Sequence, residues 1–156
     1  LSQTLSELFI EKKGESLDIN GKKIVMSHRI EVSKEQVLTI EFMDSEATCR
    51  QGIELSVDKR KGQVEINGEL LTAPVLWGDT APKTVAVKCF PKKATGQINI
   101  WNVWYYTGQD RIDAWIGNAG MHVEQINDKT HILHCSNGIG DFDLNDLSVK
   151  VTLSID

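Results

Sequence analysis

Leu147-Ser148-Val149-Lys150-Val151-Thr152-Leu153-Ser154-Ile155 alternates apolar and polar side chains at every position. Successive side chains leave a strand on opposite faces, so this period of two marks a strand with one face in a core. Five apolar positions on one side predict a central strand. The same alternation recurs upstream, in Ile24 to Val32, Leu38 to Phe42, Ile53 to Val57, Val85 to Cys89 and Gln97 to Tyr106. Asn20-Gly21 and Asn67-Gly68 separate such runs, and both residue types tolerate the positive φ of a tight hairpin. Met121–Ile126 and Thr130–Cys135 flank Asn127-Asp128-Lys129 in the same way. About ten strand-like segments divided by turn chemistry predict an all-β fold, an antiparallel β-sandwich or jelly roll.

The N-terminus has a different period. Thr4-Leu5-Ser6-Glu7 has the form of a capping box, and Leu5, Leu8 and Phe9 follow at helical spacing. A short helix to about Glu11 is expected, with an edge strand as the alternative, and residues 1–16 form a helix and linker within one domain, 1–156. At 156 residues a chain can bury a substantial core without staples. Nothing repeats at a fixed period.

Net charge is −5, and the cationic runs Lys12-Lys13, Lys22-Lys23, Lys59-Arg60-Lys61 and Lys92-Lys93 are short and scattered. Each reads as a solvated turn, so no attraction to nucleic acid or to an anionic membrane is expected. No apolar run approaches a membrane span, so no membrane insertion is expected. No targeting segment is visible, and the sequence assigns no compartment. Cys49, Cys89 and Cys135 are odd in number and lack metal-ligand spacing, which argues against a disulfide framework. Cys89 sits on an apolar phase and reads as a buried thiol.

Before the last strand, Asn137-Gly138-Ile139-Gly140-Asp141-Phe142-Asp143-Leu144-Asn145-Asp146 collects three carboxylates and two carboxamides around two glycines. In a loop curling around an ion, alternate residues point inward, and hard oxygen ligands suit calcium (Ca2+). The competing reading is an Asx-rich turn that caps its own backbone amides. Against it stands the repulsion among three close carboxylates with no counter-ion. The segment is not an EF-hand, because Asp146 stands where that loop requires glycine.

Asp141-x-Asp143-x-Asn145-Asp146, followed by an apolar strand that ends the chain, resembles the calcium loop of the small bacterial lectins that bind fucose and mannose through two calcium ions. It is also similar to calcium loops in β-sandwich domains of bacterial surface proteins. The lectin resemblance implies that Asp141, Asp143, Asn145 and Asp146 are calcium ligands, with sugar hydroxyls completing the coordination. Asn137 departs from it, since the lectins carry a Glu there. One formal charge fewer favours a single ion over two.

Ile98-Asn99-Ile100-Trp101-Asn102-Val103-Trp104-Tyr105-Tyr106 and Trp115 hold three of the four Trp. With Ile98, Ile100 and Trp104 in the core, Asn99, Trp101 and Tyr105 share the opposite face. In the next strand Ile112, Ala114 and Ile116 are expected inside, with Arg111, Asp113 and Trp115 outside. Ring faces stack on the C–H surfaces of sugars while amides and carboxylates bond the hydroxyls. Asn99, Trp101, Tyr105, Asp113 and Trp115 are therefore candidates for ligand binding. The alternative is an aromatic surface that covers a loop or a homo-oligomer face.

His122, His131, His134 and Cys135 cluster late in the chain, but His134 and Cys135 lie on opposite faces of their strand, and His131 and Cys135 are separated by Leu133. No catalytic residues are expected. The sequence thus points to a non-enzymatic, lectin-like, calcium-dependent carbohydrate-binding module. The alternative is a structural or protein-interaction sandwich whose loop calcium stabilises.

Overall fold

The computed structural model describes residues 3–45, 49–106 and 110–155. Helix α1 (Leu5–Glu11) starts at the expected capping box: the Thr4 hydroxyl accepts the Glu7 N–H, and the Glu7 carboxylate accepts the Thr4 N–H. Fourteen strands follow among the described residues. The first seven are β1 (Leu17–Ile19), β2 (Lys22–Ile24), β3 (His28–Ser33), β4 (Val37–Ser45), β5 (Arg50–Val57), β6 (Gln63–Ile66) and β7 (Glu69–Leu71). The others are β8 (Val75–Trp77), β9 (Thr84–Phe90), β10 (Thr95–Tyr106), β11 (Arg111–Asp113), β12 (Gly120–Asn127), β13 (Thr130–Ser136) and β14 (Leu147–Leu153). The excess over ten comes from β1, β2, β7 and β8, each three residues long. Three residues are too few to display an alternation.

All pairings among the described residues are antiparallel. One sheet runs β11-β10-β5-β8, with β3 also paired to β10; the other runs β12-β13-β14-β4-β9-β6-β7; β1 and β2 form a separate hairpin. A single apolar cluster takes side chains from both sheets, among them Ile40, Val87, Leu133 and Val151 from the larger and Ile53, Leu55, Ile98 and Ile100 from the smaller. The fold is therefore a β-sandwich. Strand β14 lies between β13 and β4, with Val149 and Val151 fully buried. This is the central position that its alternation predicts.

The hairpin turns match their sequences. Asn20 and Gly21 have φ of 53° and 81°, Asn67 and Gly68 of 52° and 81°, as a two-residue turn with both φ positive demands. The expected strand from Ile24 to Val32 is instead divided. β2 ends at Ile24, Val25 makes an isolated bridge to Met121, and β3 begins at His28 in another sheet. The alternation is continuous in sequence because both pieces bury the same phase.

A second, smaller core joins Leu5 and Phe9 of α1 to Leu17 and Ile24 of the β1–β2 hairpin, with Phe142 and Leu144 packed against it. The helix is thus anchored to the sandwich through the loop that precedes β14. Among the described residues no helix is long and apolar enough to cross a membrane.

Candidate functional site

Residues opposite each other on antiparallel strands share a face. On the side of the β3–β10–β5 sheet away from the core, Asn99 stands opposite Arg29 on one neighbour and Ser56 on the other, while Trp101 stands opposite Glu54. These five residues floor an open groove of about 1060 Å³. Its walls are the chain from Lys13 to Ser16, the β2–β3 connection, the turn after β5 and the segment after β11.

Trp115 dominates the groove. It has a φ of 59°, a left-handed conformation that a bulky residue enters only at a cost of about 1–3 kcal/mol. That conformation swings the indole over Trp101, with ring centroids 5.1 Å apart and planes tilted by 33°. The indole N–H donates to the Met26 carbonyl at 3.0 Å, which pins the ring. Trp101 is consequently 9% exposed, whereas Trp115 remains 42% exposed. Trp101 is the support, and Trp115 offers the free ring surface. Beside them the Asn99 Oδ1 is buried without a hydrogen-bond partner.

The turn after β5 is also left-handed. Asp58, Lys59 and Arg60 have φ of 49°, 53° and 74°, an arrangement that L-residues avoid because Cβ crowds the carbonyl. It is held by the Asp58 carboxylate, which accepts the N–H groups of Lys92 (3.3 Å) and Gln97 (3.0 Å). Gly96 leaves room for that carboxylate, since a Cβ there would come within 2.5 Å of it. The turn delivers Lys59 and Arg60 to the groove wall. Arg60 Nη2 lies 3.4 Å from Glu54 Oε2, and partial burial raises the Glu54 carboxyl above its usual range, with Arg60 opposing.

Of the five residues expected to bind ligand, the fold brings together Asn99, Trp101 and Trp115 and excludes two. Asp113 stands opposite Trp104, hence on the core-side face, and pairs with Arg111 at 2.8 Å. Tyr105 donates its hydroxyl to the Asp110 carboxylate, outside the groove lining. Ile112 and Ile116, expected inside, are thus 51% and 46% exposed, while Trp115 keeps the outer face expected of it. A three-residue edge strand has no buried face strong enough to set its own phase, so β10 sets it.

The aspartate loop folds around its apolar residues. Phe142 and Leu144 turn toward the helix core, so the alternate Asp141, Asp143 and Asn145 turn to solvent. Asp143 accepts the Asn145 N–H at 2.9 Å in an Asx turn. Asp146 faces the opposite way: it is 8% exposed and accepts the Asn137 N–H at 3.0 Å. Asn137 is equally engaged, accepting the Ile139 N–H at 2.8 Å and donating to Gln51 Oε1 at 3.2 Å. Gln51 in turn donates to the Asp146 carbonyl at 2.6 Å. The five expected calcium ligands therefore point two ways, and among the described residues no group of three His, Cys, Asp or Glu is placed to hold a metal ion.

The histidines form two pairs. His28 lies on the core face of β3 and His131 on that of β13, and their ring nitrogens meet at 3.0 Å between the two sheets. His122 and His134, opposite each other on β12 and β13, stack at 6.3 Å, with His134 bonded to Glu124 at 2.8 Å. Burial pushes the Cys89 thiol up to about 12 and the Cys135 thiol higher still, so both stay protonated.

The inter-sheet pair makes stability depend on pH. Desolvation, with a smaller contribution from His131, lowers His28 from 6.5 to about 4, and burial lowers His131. The native state then binds fewer protons than the unfolded chain between these values, so stability is complete above pH 6.5 and lost as pH falls toward 4. Urea unfolding at pH 7 and pH 4 is expected to show wild type losing on the order of 2 kcal/mol more than His28→Gln, allowing for partial solvent exposure. Equal losses would remove the pair as the cause.

The sequence carries one further signal for this groove. Three of the four short cationic runs, each ordinary alone, place Lys13, Lys23, Lys59 and Arg60 on this groove. Comparison of the chain with protein-family models, curated proteins and solved structures finds no match.

Proposed function

We propose that the protein binds carbohydrate in the Trp101–Trp115 groove and catalyses no reaction. The observation that carries this is Trp115, a half-exposed indole held in a strained backbone conformation, pinned through its N–H and backed by a second indole. A ring fixed in advance loses little entropy when a sugar stacks on it. Asn99, Ser56, Glu54 and Arg29 supply amide, hydroxyl, carboxylate and guanidinium groups on the same floor, the mixture that hydroxyl recognition needs.

Contacts of this kind need no metal, so the calcium dependence expected from the loop is replaced by direct side-chain binding. Isothermal titration against a glycan panel is expected to yield a ligand whose affinity is unchanged by chelator. Trp115→Ala is expected to lower that affinity about ten- to a hundredfold, as loss of a central aromatic anchor does. Binding abolished by chelator would return the role to the aspartate loop.

A further inference from the structure

The groove has a charge opposite to that of the molecule. The chain carries −5 overall, yet Lys13, Lys23, Arg29, Lys59 and Arg60 all line this one surface. Among the described residues, only Glu15 and Glu54 oppose them there. Glu54 is committed to Arg60. Lys13, Lys23, Arg29 and Lys59 make no ion pair with any described residue. Gathering like charges is unfavourable in the free protein, and an anionic ligand relieves it.

Two of these cations are placed by strain. Lys59 and Arg60 occupy consecutive left-handed positions that a flexible surface turn would relax, and the Asp58 carboxylate, bonded to two backbone amides across the turn, prevents it. A guanidinium whose backbone is fixed in this way loses less freedom on binding a carboxylate or a sulfate.

We propose that the ligand of the groove is an anionic polysaccharide, its carboxylate or sulfate groups bound by Lys59, Arg60 and Arg29 while a sugar ring stacks on Trp115. This rests on the carbohydrate assignment above and adds the ligand class to it. A nucleic acid suits the surface less well. It is best held by a series of aromatic platforms, whereas here one indole supports another. An acidic polysaccharide carries free hydroxyls beside each anion, which suit the amide, hydroxyl and carboxylate groups of Asn99, Ser56 and Glu54 on the floor.

The test is calorimetric titration of the full chain with polygalacturonate, chondroitin sulfate, neutral dextran and a single-stranded oligonucleotide, in low and high salt. One of the two acidic polymers is expected to bind at least tenfold more tightly than dextran and to weaken about tenfold in high salt. Preference between the two identifies carboxylate or sulfate as the group read. Lys59→Gln/Arg60→Gln is expected to lower that affinity about tenfold, and Arg29→Gln, in a regular strand, gives an independent variant if the turn fails to fold. Equal binding of dextran overturns the anionic class while the carbohydrate assignment stands. Failure of every polysaccharide overturns both, and tighter binding of the oligonucleotide makes the groove a nucleic-acid site.

Discussion

Trp104→Ala is expected to destabilise the protein by about 3–5 kcal/mol, the range for truncating a buried aromatic residue to alanine. The indole is fully buried and lies where three parts of the molecule meet. By register Trp104 stands opposite Gln51 on β5 and Asp113 on β11. Its ring edge also lies against Gly138, where an added Cβ would strike the indole. The alanine variant therefore opens a cavity under the aspartate loop and loosens the support of Gln51, which bonds both Asn137 and Asp146. Urea unfolding at neutral pH measures the loss, and Trp104→Phe should recover a large share of it. A loss below about 1 kcal/mol would be that of an exposed residue and would contradict the burial.

Asp146→Ala is expected to cost about 2–3 kcal/mol, equally in calcium and in chelator. Its carboxylate satisfies the Asn137 N–H, and Asn137 is 2% exposed, so the alanine leaves a buried donor without a partner. Asp141→Ala, at an exposed position, should stay within about 0.5 kcal/mol. A ligand that binds the native state raises its stability by mass action. If the loop held calcium, wild type would melt higher in millimolar calcium, and both variants would lose that rise. The expected result is no rise in wild type and an Asp146→Ala deficit that calcium does not alter. A calcium-dependent rise that disappears in Asp141→Ala would restore the metal-binding loop.

The course of the loop is set by its apolar residues. Asp141-x-Asp143-x-Asn145 has ligand spacing, but the intervening Phe142 and Leu144 are the positions that fold it, because apolar burial against α1 outweighs any preference of exposed carboxylates.

Local chemistry was legible wherever a short range decides the outcome. The Thr4 capping box, the Asn-Gly turns and the strands β4, β10 and β14 depend on neighbours a few residues apart, and each formed as expected. The burial of Ile98, Ile100 and Trp104 against the outward Asn99 and Trp101 followed from the same parity. Parity failed at β11, whose three residues take their phase from β10.

The sequence by itself determined the β-sandwich, its short capped helix, its central last strand and the face of β10 that carries the aromatic residues, because backbone periodicity and turn chemistry are local. Only the tertiary structure decided that Trp115 covers Trp101, that His28 meets His131 between the sheets, that Asp146 caps Asn137, and that cations from separate turns line one groove. Each of these joins residues brought together by strand order and sheet packing. Strand order is set by the burial of the whole chain at once, and no single stretch of residues contains it.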